Sequence, residues 1–125
     1  MFQGVDHTAI SSPEPRRLAD WYISQLEFRL HSENEGKYFL QGANGTLIEI
    51  IPGEGERGPR GMAVPGFRHL AIGVDDFEAA REHLRKTGIE FLTDVIYVGK
   101  LQLRLIFFSD PEGNILHLIK RENSH

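Results

Sequence analysis

The fold is decided by a short stretch near the start of the chain, HTAI at residues 7–10, which returns as HLAI at residues 69–72. A second pair of matching stretches follows, GTLIEII at residues 45–51 and GNILHLI at residues 113–119. Within each copy, a helix pattern and further strand patterns lie between the two stretches in the same order. A supersecondary unit that occurs twice in a chain of 125 residues is an internal repeat. The sequence therefore predicts an α+β fold built from two βαβββ modules.

The segment between the two copies has the composition of a linker. Residues 52–66, PGEGERGPRGMAVPG, are rich in glycine and proline and show no hydrophobic periodicity. We therefore predict a first module over residues 1–51 and a second over residues 67–125. Each module contains one predicted helix, with Ser12 as the N-cap of the first and Asp75 as the N-cap of the second.

Composition excludes several classes of function. The chain carries 14 basic and 18 acidic residues, a net charge of −4, which argues against nucleic acid and anionic membrane surfaces as partners. No apolar run approaches the ~20 residues of a membrane span, and the first residues do not resemble a secretion signal, so we expect a cytoplasmic protein. Cysteine is absent, which excludes thiol catalysis, disulfides and zinc-thiolate sites. Six histidines are the remaining source of metal ligands or bases.

Each module has one ligand-type residue in its first predicted strand and one in its last. These four residues are His7, Glu49, His69 and His117. Each is predicted to lie within a strand that is apolar on both faces, and a helix can cover only one of those faces. The other face must then line a cavity into which the four side chains point.

A divalent metal ion explains this pattern best. Burying an unpartnered carboxylate or imidazole costs several kcal/mol, and one cation satisfies all four groups. Imidazole with carboxylate suits Fe, Ni, Zn, Co or Mn. Taken alone, each histidine could be a hydrogen-bonded core residue, and Glu49 could pair with Arg68 or Arg104. The repeat-equivalent positions favour the metal site, whereas we expect surface roles for the other three histidines, His31, His83 and His125.

The chain resembles the vicinal oxygen chelate superfamily through three stretches, VDHTAI at residues 5–10, RHLAI at residues 68–72 and FSDPEGNILHL at residues 108–118. That superfamily includes glyoxalase I, fosfomycin and bleomycin resistance proteins, methylmalonyl-CoA epimerase and extradiol dioxygenases. The resemblance implies U-shaped sheets around a metal with open positions, which chelates adjacent oxygens of a substrate. The family's ligand positions map onto the four residues named above. This chain departs from the usual pattern at His117, where the family carries a glutamate that is both ligand and proton-transfer base. Proton transfer is therefore expected at Glu49 or at His117 itself.

Three further residues are predicted to contact the substrate. If the leucines of residues 101–108 face the helix, Gln102 and Arg104 face the cavity, where Arg104 could bind a carboxylate or phosphonate in bidentate fashion. A solvated arginine at the sheet edge is the alternative. Tyr38 is predicted to form part of the cavity wall.

The favoured function is a divalent-metal-dependent enzyme of the glyoxalase type, with lyase or isomerase chemistry on a small molecule. An Fe(II)-dependent dioxygenase and a drug- or metabolite-binding module of the bleomycin-resistance kind stay open as alternatives. The resemblance also implies a homodimer with shared sites, in which the first module of one chain supplies His7 and Glu49 and the second module of the other supplies His69 and His117. A site formed within one chain also stays open.

Overall fold

The computed structural model describes residues 1–58 and 63–122, and the chain divides into two compact units, Met1–Arg57 and Gly58–His125. Part of the predicted linker, residues 59–62, and the predicted surface residue His125 lie outside the described residues. Within the described ranges, neither helix has the length and apolar character needed to cross a membrane.

The first unit is one βαβββ module. Its elements are β1 (His7–Ser12), α1 (Pro15–Leu26), β2 (Arg29–Asn34), β3 (Lys37–Gln41) and β4 (Leu47–Pro52). The four strands form a mixed sheet in the order β1-β4-β3-β2, with β1 parallel to β4 and the other neighbours antiparallel. Helix α1 contacts β1, β3 and β4 and buries Leu18, Ala19 and Tyr22. One face of the sheet is thus covered by the helix.

The second unit repeats this arrangement. Its elements are β5 (Leu70–Gly73), α2 (Phe77–Lys86), β6 (Ile96–Val98), a short 3-10 turn (Gly99–Leu101), β7 (Leu103–Ser109) and β8 (Ile115–Arg121). The strand order β5-β8-β7-β6 matches the first sheet position by position, again with one parallel pair, β5 and β8. The predicted α+β fold with two βαβββ modules is confirmed.

Both helices begin later than predicted. The first starts at Pro15, and its N-cap is Glu14 rather than Ser12, which ends β1. A residue that precedes proline is disfavoured in the helical conformation, and Glu14 has the non-helical angles φ −135° and ψ 74°. In the second helix the N-cap is Asp76 rather than Asp75, and its carboxylate accepts a backbone hydrogen bond from the first turn. The predicted caps at Ser12 and Asp75 are therefore wrong.

The turn between β7 and β8 is built around a buried carboxylate. Asp110 is only 3% exposed, and its Oδ1 accepts hydrogen bonds from the backbone N–H groups of Glu112 and Asn114 at 2.9 and 3.0 Å. The side-chain amide of Asn114 donates to Oδ2 at 2.7 Å. These bonds fix the hairpin register in which Phe107 lies opposite His117.

Replacing Asp110 by alanine is expected to lower the free energy of unfolding by about 1–3 kcal/mol, because two backbone donors in the turn lose their acceptor. Urea denaturation monitored by circular dichroism measures the change. Asp94→Ala, at an exposed aspartate, is the matched control and should stay within about 0.5 kcal/mol of the wild type. Equal stability of the two variants would show that the carboxylate does not organise the turn.

Candidate functional site

The first predicted ligand pair lies on the sheet face opposite α1. Ala9 is the register partner of Glu49, and His7 is two residues from Ala9, so His7 and Glu49 share a face. The Nε2 atom of His7 is 3.4 Å from Oε1 of Glu49. The Glu49 side chain is 16% exposed, so this contact is largely shielded from solvent.

The other ring nitrogen of His7 is held by a neighbouring carboxylate. Nδ1 donates a hydrogen bond to Oδ2 of Asp6 at 2.8 Å, which fixes the ring with Nε2 toward Glu49. This bond raises the pKa of His7 above its ordinary value; partial burial opposes the shift, and the charge of Glu49 adds to it. A carboxylate that holds the outer nitrogen of a metal-binding imidazole is a common arrangement in metal sites.

The second pair is formed by two imidazoles. The ring centroids of His69 and His117 are 4.6 Å apart, on the sheet face opposite α2. His117 is 5% exposed, and its Nδ1 donates to the Leu118 carbonyl at 3.1 Å, which leaves the lone pair of Nε2 unused by that bond. Burial lowers the pKa of His117 below its ordinary value, and the proximity of His69 adds to this shift. The imidazole is therefore neutral at pH 7, the form that binds metals.

Each ligand pair contains at least one histidine in edge contact with a phenylalanine that sequence reasoning missed. The ring centroids of Phe39 and His7 are 5.0 Å apart. The ring centroid of Phe107 is 5.5 Å from that of His69 and 4.9 Å from that of His117. Phe39 is the register partner of Glu49, just as Phe107 is the partner of His117. The hairpin register is the signal that finds them, because it identifies the residue directly opposite each ligand.

Two of the predicted substrate residues, Arg104 and Tyr38, lie on sheet faces opposite to those of the predicted ligands. On β7, Phe107 lies opposite His117 and Leu105 lies opposite Ile119, so the leucines share the face of His117. Arg104 alternates with them and lies on the face of α2. The prediction that Arg104 faces the same side as His117 is therefore wrong.

The surroundings of Arg104 explain its orientation. Its guanidinium carbon lies 5.0 Å from the ring centroid of Phe77, and its nitrogens lie 3.8 and 3.9 Å from carboxylate oxygens of Glu78 and Glu122. An aromatic face and two acidic groups thus attract the cation to the helix side. Gln102 precedes β7 as an exposed residue with a left-handed backbone, φ 51°.

Tyr38 also lies on the helix side of its sheet. Its register partner is Ile50, whereas Phe39 is the residue opposite Glu49. The ring of Tyr38 lines a groove at the start of α1 together with Arg16 and Asp20. Burial raises the pKa of Tyr38 above its ordinary value. The structure therefore does not bring Tyr38 to the side of the predicted ligands.

The four predicted ligands occur as two pairs, one in each unit. Within residues 1–58 and 63–122, no group of three or more His, Cys, Asp or Glu side chains is placed to hold a metal ion. The donors themselves fit a transition metal, because His7 and His117 each have Nδ1 bound to an acceptor and Nε2 directed elsewhere. The complete four-residue site stays a prediction.

Replacing Asp6 by asparagine is expected to lower the pKa of His7, because the amide cannot stabilise the imidazolium by its charge. The raised pKa makes a stabilising contribution that is complete below the unfolded-state pKa and disappears as the pH rises through the folded-state pKa. Affinity for Co²⁺ is expected to fall by about 10–100-fold, because the ring loses its orienting partner. NMR titration of the metal-free protein and competition with a chromophoric chelator measure the two effects.

The matched control is Arg68→Gln, since Arg68 occupies the position before His69 that Asp6 occupies before His7. The guanidinium of Arg68 donates to the carbonyls of Gly66 and Pro65. This variant should leave both the His7 pKa and the Co²⁺ affinity unchanged. An unchanged His7 pKa in Asp6→Asn would contradict the role assigned to the carboxylate.

The chain is similar to known proteins in both sequence and structure. The family model of the Glyoxalase/Bleomycin resistance protein/Dioxygenase superfamily matches residues 4–118. Uncharacterized protein YaeR of Escherichia coli (strain K12) is 32% identical over 126 residues, which cover 94% of this chain and 95% of YaeR. The crystal structure of a glyoxalase family protein from Enterococcus faecalis is 27% identical, with a TM-score of 0.76 over 94% of this chain and 98% of that one. A glyoxalase/dioxygenase from Nostoc punctiforme, 16% identical, has a TM-score of 0.79 over 97% of this chain and 92% of its own and shares the fold.

Proposed function

Because the chain belongs to the glyoxalase/bleomycin resistance protein/dioxygenase superfamily, we propose that it is a divalent-metal-dependent enzyme of the glyoxalase type. Its chemistry is that of a lyase or isomerase acting on a small substrate chelated through two adjacent oxygens. One observation carries the proposal: repeat-equivalent ligand residues are in side-chain contact in both units, on the sheet faces opposite the helices.

The proposed metal site consists of His7, Glu49, His69 and His117. A transition metal bound there would supply Lewis-acid stabilisation to an oxygen that becomes negatively charged during the reaction. The residues of the chain hold that site in shape: Asp6 orients His7, the Leu118 carbonyl orients His117, and the two phenylalanines restrict the rings.

Proton transfer is assigned to Glu49 or His117. The carboxylate of Glu49 is largely shielded, and its Oε1 lies 3.4 Å from Nε2 of His7. His117 is neutral at pH 7 because burial lowers its pKa. Its Nδ1 already carries the hydrogen donated to the Leu118 carbonyl, so it could accept a proton only at Nε2 and only while Nε2 is not bound to the metal. Either group could remove a proton from the carbon next to a chelated oxygen.

A homodimer with shared sites is part of the proposal. Each unit contributes two ligands, so a four-ligand site needs one first unit and one second unit. The resemblance to two-module chains of this family supports a site in which these units come from different chains. Exchange between mutant chains, described in the Discussion, tests this arrangement.

An Fe(II) dioxygenase is the second candidate, and the donor set favours it in one respect. Three imidazoles and one carboxylate include the two-histidine, one-carboxylate set of non-haem iron oxygenases. Elemental analysis of the purified protein separates the candidates, since iron favours oxygenation and nickel, zinc or cobalt favours isomerisation.

The direct test of the first candidate is proton exchange. The metal-loaded protein is incubated in D₂O with small α-hydroxyketones, and loss of the C–H signal next to the oxygens is followed by NMR. Metal-dependent exchange supports the proposal. Exchange no faster than with metal-free protein, together with oxygen uptake by the iron-loaded protein on catechols, would favour the dioxygenase.

A further inference from the structure

The side chain of His117 emerges from an apolar sheet face. Its cross-strand partners are Phe107 on β7 and Ala71 on β5. Along β8, Ile115 and Ile119 are two residues away on either side and therefore point to the same face. The phenylalanine and both isoleucines are half-buried, so their outer surfaces are accessible on the side opposite α2.

Glu49 has the same surroundings in the first unit. Its cross-strand partners are Phe39 on β3 and Ala9 on β1. Leu47 and Ile51 flank it along β4, and both are half-buried. The two ligands are thus each surrounded by one phenylalanine, one alanine and two branched aliphatic side chains at equivalent positions of the repeat. Four matched positions indicate that the apolar surroundings belong to the site.

In the described strands, basic side chains lie apart from these surroundings. Arg104 and Lys120 are register partners on the face of α2. The cations that alternation places on the ligand faces are Arg29, Lys37 and Arg121, and all three are exposed residues at strand ends. Among the strands of residues 1–58 and 63–122, an anionic group next to the chelated oxygens would therefore lose its hydration without gaining a basic side chain beside it.

We propose that the substrate carries its two chelating oxygens on an apolar body, an aromatic ring or a branched hydrocarbon, that begins at the atoms next to them. Such a body would contact the matched phenylalanine and aliphatic side chains. Substrates whose charge adjoins the chelating group, such as phosphonates, are disfavoured. This inference rests on the proposed function, because it assumes that a metal is held between the ligand pairs.

Hydroxamates test the inference, because they bind metals through two adjacent oxygens and differ only in the attached body. The Co²⁺-loaded protein is titrated with acetohydroxamate, benzohydroxamate and 2-carboxybenzohydroxamate, whose carboxylate adjoins the hydroxamate, and dissociation constants are taken from the change in cobalt absorption. Each value is corrected for the affinity of the same ligand for free Co²⁺. Benzohydroxamate is expected to bind at least about tenfold more tightly than acetohydroxamate, through burial of its ring. The added carboxylate is expected to remove most of that gain.

Two variants locate the effect on the protein. Ile119→Asn, on the ligand face of β8, should reduce the preference for benzohydroxamate several-fold, and Ile119→Thr serves if the asparagine variant does not fold. Lys120→Asn, the next residue on the opposite face, should keep the wild-type preference. Equal losses in the Ile119 and Lys120 variants would contradict the assignment of the face.

The outcomes separate this inference from the proposed function. If no hydroxamate changes the cobalt spectrum, the chelating site itself is wrong. If all three hydroxamates change the cobalt spectrum with equal corrected affinity, the metal site is supported and the apolar substrate is ruled out. That result is expected if protein covers this face. Tighter binding of the carboxylated compound would also overturn the inference.

Discussion

Replacing His117 by alanine is expected to weaken divalent-metal binding by about 100-fold or more. Losing a residue that only supports a metal ligand lowers affinity by about 10–100-fold, and losing a ligand itself should cost at least as much. The enzymatic activity should disappear with the metal. The physical reason is the state of the ring, which is neutral through burial and held by the Leu118 carbonyl with Nε2 available. Competition with a chromophoric chelator measures the affinity, and thermal unfolding of the same sample shows whether the variant is folded.

The control for His117 is a histidine outside the predicted site. His83 is exposed on α2, and His83→Ala should change neither metal affinity nor activity. Because His117 is buried, His117→Leu is a second variant that fills the space without a ligand atom and should lose metal as completely as the alanine variant. Equal effects of the His117 and His83 substitutions would contradict the assignment of these residues.

Mixing two inactive variants is expected to restore activity if the site is shared between chains. His7→Ala and His69→Ala each remove one ligand from every site of their own homodimer. In a heterodimer of the two variants, one shared site carries both substitutions and the other shared site carries neither. With free exchange, half of the dimers are heterodimers with one intact site of two, so activity should return to about one quarter of the wild-type level.

Subunit exchange has to be demonstrated in the same mixture, for example by mass spectrometry of isotopically labelled chains. His7→Ala mixed with Glu49→Ala is the matched control, because both lesions affect the same half of the site and no intact site can form. Failure of His7→Ala and His69→Ala to complement each other, despite exchange, would exclude the shared arrangement and favour a site within one chain.

The repeat made the fold and the ligand pairs predictable. Strand alternation, with matched positions in the two modules, was enough to bring His7 to Glu49 and His69 to His117 on the faces opposite the helices. These contacts depend on local periodicity and on the parallel pairing of first and last strands. The periodicity can be deduced from the spacing of apolar residues, whereas the parallel pairing is seen in the structure.

The face of Arg104 could not be deduced in this way. The strand β7 is apolar on both faces, so alternation alone does not say which side meets the helix. What orients Arg104 is a contact with Phe77 and Glu78 on α2, which are distant in sequence. The hydrogen bond between Asp6 and His7 depends on side-chain orientation rather than on a pattern, and the late start of α1 depends on the conformation imposed by Pro15.

The central claim is that His7, Glu49, His69 and His117 bind one divalent metal ion. Titration of the metal-free protein with Co²⁺, followed by the visible absorption of the bound ion, tests it most directly. We expect saturation at one Co²⁺ per chain, and loss of this absorption in the alanine variant of each of the four residues. Absence of saturable binding, or four variants that bind Co²⁺ as tightly as the wild type, would contradict it.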